Sequence, residues 1–223
     1  MGLTEAGNSA ITAENAHELL PEVEALSAVS PVTCGVSAAE SGDFEGYDEE
    51  QVRLMDEVCI VLDEDDEPIG RASKRVCHLM TDFSTAHFPV SCERGTNFES
   101  AILGAKRATR RKLEQELGIK PEQVPLEDFH YLTGVHYKAP SDGKWVDYIL
   151  FIQADVDLAV NRNEVQDFRW VSPEDLKNMF ATPGLQYTPW LKLICESLLF
   201  KWWADLRTPE FQRNTNETII RRM

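Results

Sequence analysis

One stretch near the middle constrains this chain most: Arg110-Arg-Lys-Leu-Glu-Gln-Glu-Leu-Gly-Ile119. Apolar positions at Ile102, Ala105, Ala108, Leu113 and Leu117 roughly follow helical spacing, with most of the charge between them. Gly118 is placed to close that helix, because glycine tolerates the positive φ that a helix end commonly needs. Glu116 lies near the side of the helix that carries Arg111. A carboxylate so placed suits a divalent metal that bridges to a diphosphate. An amphipathic helix with solvated ion pairs has the same pattern.

The 223 residues are 43% hydrophobic and 27% charged, enough for one globular domain with extra tail. A net charge of -16, from 38 acidic and 22 basic residues, repels phosphate polymers and argues against nucleic-acid binding. An anionic small substrate then needs local basic residues or a metal. The cysteines (Cys34, Cys59, Cys77, Cys92, Cys195) show no Cys-x-x-Cys spacing and read as reduced thiols of an intracellular protein. No apolar run approaches the roughly 18 residues of a membrane span, and no basic-then-apolar signal pattern opens the chain. A soluble, cytoplasmic monomer without membrane insertion is expected.

Residues 1–48 are rich in Ala, Ser, Glu and Gly and predict a disordered or loosely attached acidic arm, with a short amphipathic possibility over 16–29 broken by Pro21. Residues 49–55 are helix-compatible. Glu57-Val-Cys-Ile-Val-Leu62 reads as a buried strand, turned at residues 63–68, and 69–79 as a second extended segment. Residues 80–100 read as loop. Beyond the central helix, Phe129-His-Tyr-Leu-Thr-Gly-Val-His-Tyr137 alternates as a strand. Ala139-Pro-Ser-Asp-Gly143 is a turn, and Trp145-Val-Asp-Tyr-Ile-Leu-Phe-Ile152 pairs back as a hairpin. Residues 164–171 read as another strand. Ser172-Pro-Glu-Asp175 caps a helix, and a long apolar helix runs from Pro189 to Leu206. Residues 207–223 form a polar tail. Strands and helices in this order predict a mixed α/β (α+β) sandwich around residues 49–206.

The central helix can be set against the Nudix box, Gly-x5-Glu-x7-Arg-Glu-x2-Glu-Glu-x-Gly and an apolar residue. With its last glycine on Gly118, the register keeps Arg111, Glu116, Gly118 and Ile119. Asn97, Leu103, Lys112 and Gln115 replace the other box residues. Metal-assisted diphosphate hydrolysis loses its ligands in that exchange. Many ordered segments resemble instead type I isopentenyl-diphosphate isomerase, a Nudix-like family, particularly its fungal members. They are Glu57-Val-Cys-Ile-Val-Leu62, Lys74-Arg-Val-Cys-His-Leu79, Arg111-Lys-Leu-Glu-Gln-Glu-Leu-Gly-Ile119, His136-Tyr-Lys-Ala-Pro-Ser-Asp-Gly-Lys-Trp145, Asp147-Tyr-Ile-Leu-Phe151, Phe168-Arg-Trp-Val-Ser-Pro-Glu-Asp-Leu176, Thr188-Pro-Trp190 and Leu199-Phe-Lys-Trp-Trp203.

The resemblance implies a metal-dependent 1,3-allylic proton shift between isopentenyl and dimethylallyl diphosphate, in terpenoid and isoprenoid biosynthesis. It implies that Lys74 binds the substrate diphosphate and that His78 ligates the catalytic metal. It also implies that Glu116 supports a Mg2+ held with the diphosphate, beside a second divalent metal such as Zn2+ or Mn2+. Tyr137 is implied to help position the proton donor, and the Trp190 indole to stabilise a tertiary carbocation. The partner is a small prenyl diphosphate.

Departures are plain. The family places a second metal-binding histidine, two core strands and a catalytic cysteine in Asn-Thr-Cys-Cys-Ser-His-Pro between His78 and the central helix. Here the interval is far shorter, so part of the central sheet is expected to be shortened. His87 is the candidate second histidine, and Cys92, beside Glu93, the candidate thiol. The family's Trp-Gly-Glu-His-Glu-(Ile/Val)-Asp-Tyr is reduced to Trp145-Val-Asp-Tyr148, without either glutamate, and Asp147 reads as structural. Three readings stand: an isomerase, a diverged prenyl-substrate enzyme that guides a carbocation, or a catalytically silent diphosphate-binding paralogue or truncated gene product. Arg221-Arg222-Met223 is distantly similar to a peroxisomal Ser-Lys-Leu tripeptide.

Overall fold

The structure, a computed structural model, describes residues 11–20, 23–25, 48–63, 67–79, 84–86, 98–139 and 143–223. The chain forms two compact units, residues 1–90 and 91–223.

In the first unit, helix α1 (Ala16–Leu19) and helix α2 (Glu49–Leu54) precede strand β1 (Val58–Leu62). Strand β2 (Pro68–Ser73) returns antiparallel, Val58 facing Ser73 and Cys59 facing Ala72, and β3 (Ser84–Ala86) pairs with the other edge of β1. The turn between β1 and β2 is closed by the Asp63 carboxylate, which accepts the Glu67 N–H at 2.9 Å. Of the expected arm, residues 11–20 and 23–25 are described and pack on this unit, and most of the remainder lies outside the described residues. Glu24 exchanges both backbone hydrogen bonds with Arg71 and makes an ion pair with it at 2.8 Å. Ala16 and Val23 are buried against Val61, Ile69 and Cys77.

Lys74–Leu79 is helix α3, where extended chain was expected. The physical reason is local. The Ser73 hydroxyl accepts the Val76 N–H at 3.3 Å, and the Lys74 and Arg75 N–H groups donate to the Glu57 and Met55 carbonyls. Three N–H groups a new helix leaves unpaired are thus satisfied at once, so the strand turns into a helix.

The second unit opens with α4 (Phe98–Leu117), 20 residues long, whose inner face buries Ala105 and Ala108. Residues 98–100, expected in loop, belong to this helix. Two 3-10 turns lead to the hairpin of β4 (His130–Ala139) and β5 (Gly143–Phe151), paired antiparallel with a bulge at Leu132. One face of the hairpin carries Val135, Ile149 and Phe151 into a core with Ile194, Leu198, Trp202 and Phe211. The opposite face carries Leu150 to Ile119, Val124 and Phe129 beside the end of α4. The architecture is therefore mixed α/β, a sheet with helical layers, consistent with a Nudix-like fold.

Residues 164–171 are not a strand. Asn161 takes the N–H groups of Asn163, Glu164 and Val165 with its side chain and carbonyl, and the Arg162 guanidinium donates to the Gln166 carbonyl. A backbone satisfied by such a turn forms no ladder, and Trp170 stays 73% exposed. Helix α5 (Pro173–Ala181) begins as expected: the Ser172 hydroxyl accepts the Asp175 N–H at 3.1 Å, and the Asp175 carboxylate accepts the Ser172 N–H at 3.0 Å. Ser172→Ala should cost about 1 kcal/mol, read as a lower urea midpoint.

The expected long helix is α6 (Pro189–Ile194), a π turn (Cys195–Leu199) and α7 (Phe200–Asp205). Its apolar residues do not all reach the core: Leu193 is 38% exposed, whereas Cys195 and Trp202 are buried. The tail is ordered too. Helix α8 (Glu210–Arg213) buries Phe211, and β6 (Arg221–Arg222) pairs parallel to β4. The buried Thr133 hydroxyl donates to the Ile219 carbonyl, and the Met223 N–H to the His136 carbonyl.

Candidate active site

In the first unit, Lys74 and His78 lie on α3, four residues apart, so their backbone positions share one side of that helix. Lys74 is half-buried; the His78 side chain lies outside the described residues. Between them Cys77 points inward to Cys59 of β1, and both thiols are buried. A hydrogen bond between the two sulfurs raises the Cys59 thiol well above its ordinary range and lowers that of Cys77. The pair anchors α3 to β1.

In the second unit, Glu116 is the penultimate residue of α4 and is half-buried. Its carbonyl accepts the Asn161 N–H at 2.9 Å, and the Leu117 carbonyl accepts that of Ala159 at 2.9 Å. Residues 159–161 thereby hold the helix end on which the carboxylate rides. Arg111, one turn before Gln115, donates to that side chain at 3.4 Å.

Tyr137 stands on β4 two residues beyond the fully buried Val135, so strand alternation puts both on the hairpin face covered by α6. Trp190 is the second residue of α6 and is 36% exposed. The aromatic pair expected of a prenyl pocket thus belongs to one strand and to the helix that packs on it. Within this unit Tyr137 lies on β4, Trp190 on α6, which packs on that strand, and Glu116 at the end of α4. His87 and Cys92 lie outside the described residues.

Two groups do not read as functional from the sequence, where Asp147 reads as structural and Tyr187 is not singled out. The Asp147 carboxyl, directly across from Val135 in the hairpin register, is pushed up to about 6 by burial. Near Trp190, the Tyr187 phenol oxygen is buried with no hydrogen-bond partner, its ring edge-on to Phe180 at 4.8 Å. A lone carboxylate in a strand and a lone tyrosine in a loop carry no spacing signal that would have found them. Among the described residues, no group of three or more His, Cys, Asp or Glu side chains is assembled to hold a metal. The described donors thus do not by themselves make a metal site.

The model of the NUDIX domain matches residues 104–191. The isopentenyl-diphosphate delta-isomerase of Aspergillus fumigatus is 50% identical, covering 96% of each chain, and that of Gibberella zeae 46%, covering 99% of this chain and 98% of its own. That of Schizosaccharomyces pombe is 39% identical over 79% of this chain and 95% of its own. The Aspergillus alignment runs over 267 positions against the 223 residues here, so at least 44 of its positions have no counterpart in this chain. Identity of this order over nearly the full length of both chains is decisive, and the chain belongs to the isopentenyl-diphosphate delta-isomerase family.

Proposed function

We propose that the protein is an isopentenyl-diphosphate isomerase of terpenoid and isoprenoid biosynthesis, interconverting isopentenyl and dimethylallyl diphosphate. The observation that carries this reading is the 50% identity over 96% of both chains with a protein named for that reaction. The position of Tyr137 on β4 and of Trp190 on α6, the helix that packs on β4, supports it. Protonation of the terminal alkene carbon leaves a tertiary carbocation, and an indole face offers such a cation about 2 kcal/mol once water is excluded. Lys74 would bind the diphosphate. A divalent cation, Mg2+ beside a second ion such as Zn2+ or Mn2+, is the cofactor proposed from family resemblance; His78, His87 and Glu116 are the residues proposed to meet it. We place the protein in the cytoplasm as a monomer. A peroxisomal address is not favoured, since Arg222 contacts the His136 ring at 3.0 Å and residues 221–222 are paired along β4.

The 44 or more positions without counterpart favour a second reading, a diverged or catalytically silent prenyl-diphosphate binder. One experiment separates the two. Purified protein is incubated with isopentenyl diphosphate and Mg2+ in deuterated water and followed by proton NMR. Dimethylallyl diphosphate carrying deuterium is expected; a folded protein that leaves the substrate unchanged would sink the isomerase reading. In the active protein, Trp190→Ala should lower kcat about 30-fold, the equivalent of the cation–π contribution, and Trp190→Phe should lower it less.

A further inference from the structure

We propose that Asp147 is the carboxylic acid that protonates the alkene in this chain, working on the hairpin face that also carries Tyr137. This rests on the isomerase reading above and gives it an acid in place of the two motif glutamates that this chain lacks. Asp147 lies across from Val135, and Ile149 and Phe151, the next residues on its face of β5, pack into the core beneath α6, the π turn and α7. Tyr137 follows Val135 on the same face of β4, and α6, which packs on β4, carries Trp190. An acid and a phenol thus stand on one side of the hairpin, and a helix that packs on β4 carries the indole.

A structural aspartate inside a sheet normally has donors, because an ionised carboxylate without them is costly to bury. Asp147 is half-buried, no hydrogen bond or ion pair is found for it among the described residues, and burial alone shifts it. Basic groups that could have answered it on the covering helices are engaged or turned outward. Lys192 pairs with Glu196 in solvent at 3.9 Å, and Lys201 is exposed. A partner-free carboxyl poised close to neutral pH is the state a general acid requires.

The step balances on these groups. The neutral Asp147 carboxyl gives its proton to the terminal alkene carbon, the π electrons forming the new C–H bond and leaving a tertiary carbocation. A non-bridging diphosphate oxygen of the substrate then removes a proton from C2 through a six-membered arrangement. The electrons of that C–H bond become the new double bond. The proton on the diphosphate passes to solvent, and solvent reprotonates Asp147.

Wild-type protein, Asp147→Asn and Asp147→Glu are compared in the deuterium NMR assay, with the urea midpoint of each as the folding control. Asp147→Asn should keep its fold and its KM and lose about 1,000-fold in kcat, within the usual span for a removed general acid. Asp147→Glu, which keeps the acid, should recover at least about a tenth of the wild-type rate. Wild-type turnover with an equally fast Asp147→Asn protein overturns the role of Asp147 and leaves the isomerase reading intact. A folded wild-type protein without turnover overturns both.

Discussion

Asp147→Asn should make the protein more stable at pH 7 by about 3 kcal/mol, although it should slow turnover about 1,000-fold. The carboxyl rises from its ordinary 3.8 to about 6 because burial disfavours the charged form. Between those values the native state therefore holds a proton that the unfolded chain has released. Stability linked to Asp147 is full below about pH 4, falls as pH rises through the folded value near 6, and is lost above it. A shift of about two pH units corresponds to about 3 kcal/mol. Asparagine keeps the shape and carries no charge, so its contribution stays flat over the same range. Urea midpoints of the two proteins at pH 4 and pH 7 supply the measurement. Because the other carboxylates are common to both, the difference between the curves isolates Asp147. A difference that does not change with pH would mean an ordinary, solvated carboxyl, and the acid role would lose its physical basis. The opposed signs, more stable and less active, are the signature of a group held against its own preference for function.

Much of the second unit is legible from local chemistry. The hairpin is announced by two alternating segments and a Pro-Ser-Asp-Gly turn, α5 by the Ser172 capping box, and the end of α4 by Gly118. What eluded the sequence depends on partners distant along the chain or on a single side chain. Ser73 converts extended chain to helix with one hydroxyl, and Asn161 turns residues 164–171 away from a strand with another local cap. The tail is polar residue by residue, yet Phe211 stacks with Phe151 at 6.0 Å and residues 221–222 find β4 from some 85 positions away, where periodicity carries no information. Lys74, Tyr137 and Trp190 are reached through family resemblance, whereas Glu116 is also singled out by its place on the central helix. Asp147 could be recognised only once the register with Val135 and the helices over that face were known. Burial, not sequence neighbourhood, sets its chemistry.

Gly118→Ala should destabilise the protein by about 3 kcal/mol and lower its melting temperature by roughly 6–12 °C for a chain of this size. Gly118 sits at φ +66° and donates its N–H to the Glu114 carbonyl at 2.9 Å, the bond of a left-handed helix cap. An L side chain in that conformation costs about 1–2 kcal/mol. Here the added carbon also collides with the backbone oxygen of Ala159 and would lie 2.7 Å from its Cβ. Relief requires residues 159–161 to back away, breaking the bonds they donate to the carbonyls of Leu117 and Glu116. Each lost bond at a helix end adds about 1 kcal/mol. Gly184 provides the control, since it has φ +86° with nothing within 4 Å of the added carbon. Gly184→Ala should show the backbone strain alone, at about 1–2 kcal/mol. Equal effects at the two glycines would mean that residues 159–161 do not brace the helix. A larger effect at Gly118, with a fall in turnover beyond what the remaining folded fraction explains, would mean that this brace sets the position of Glu116.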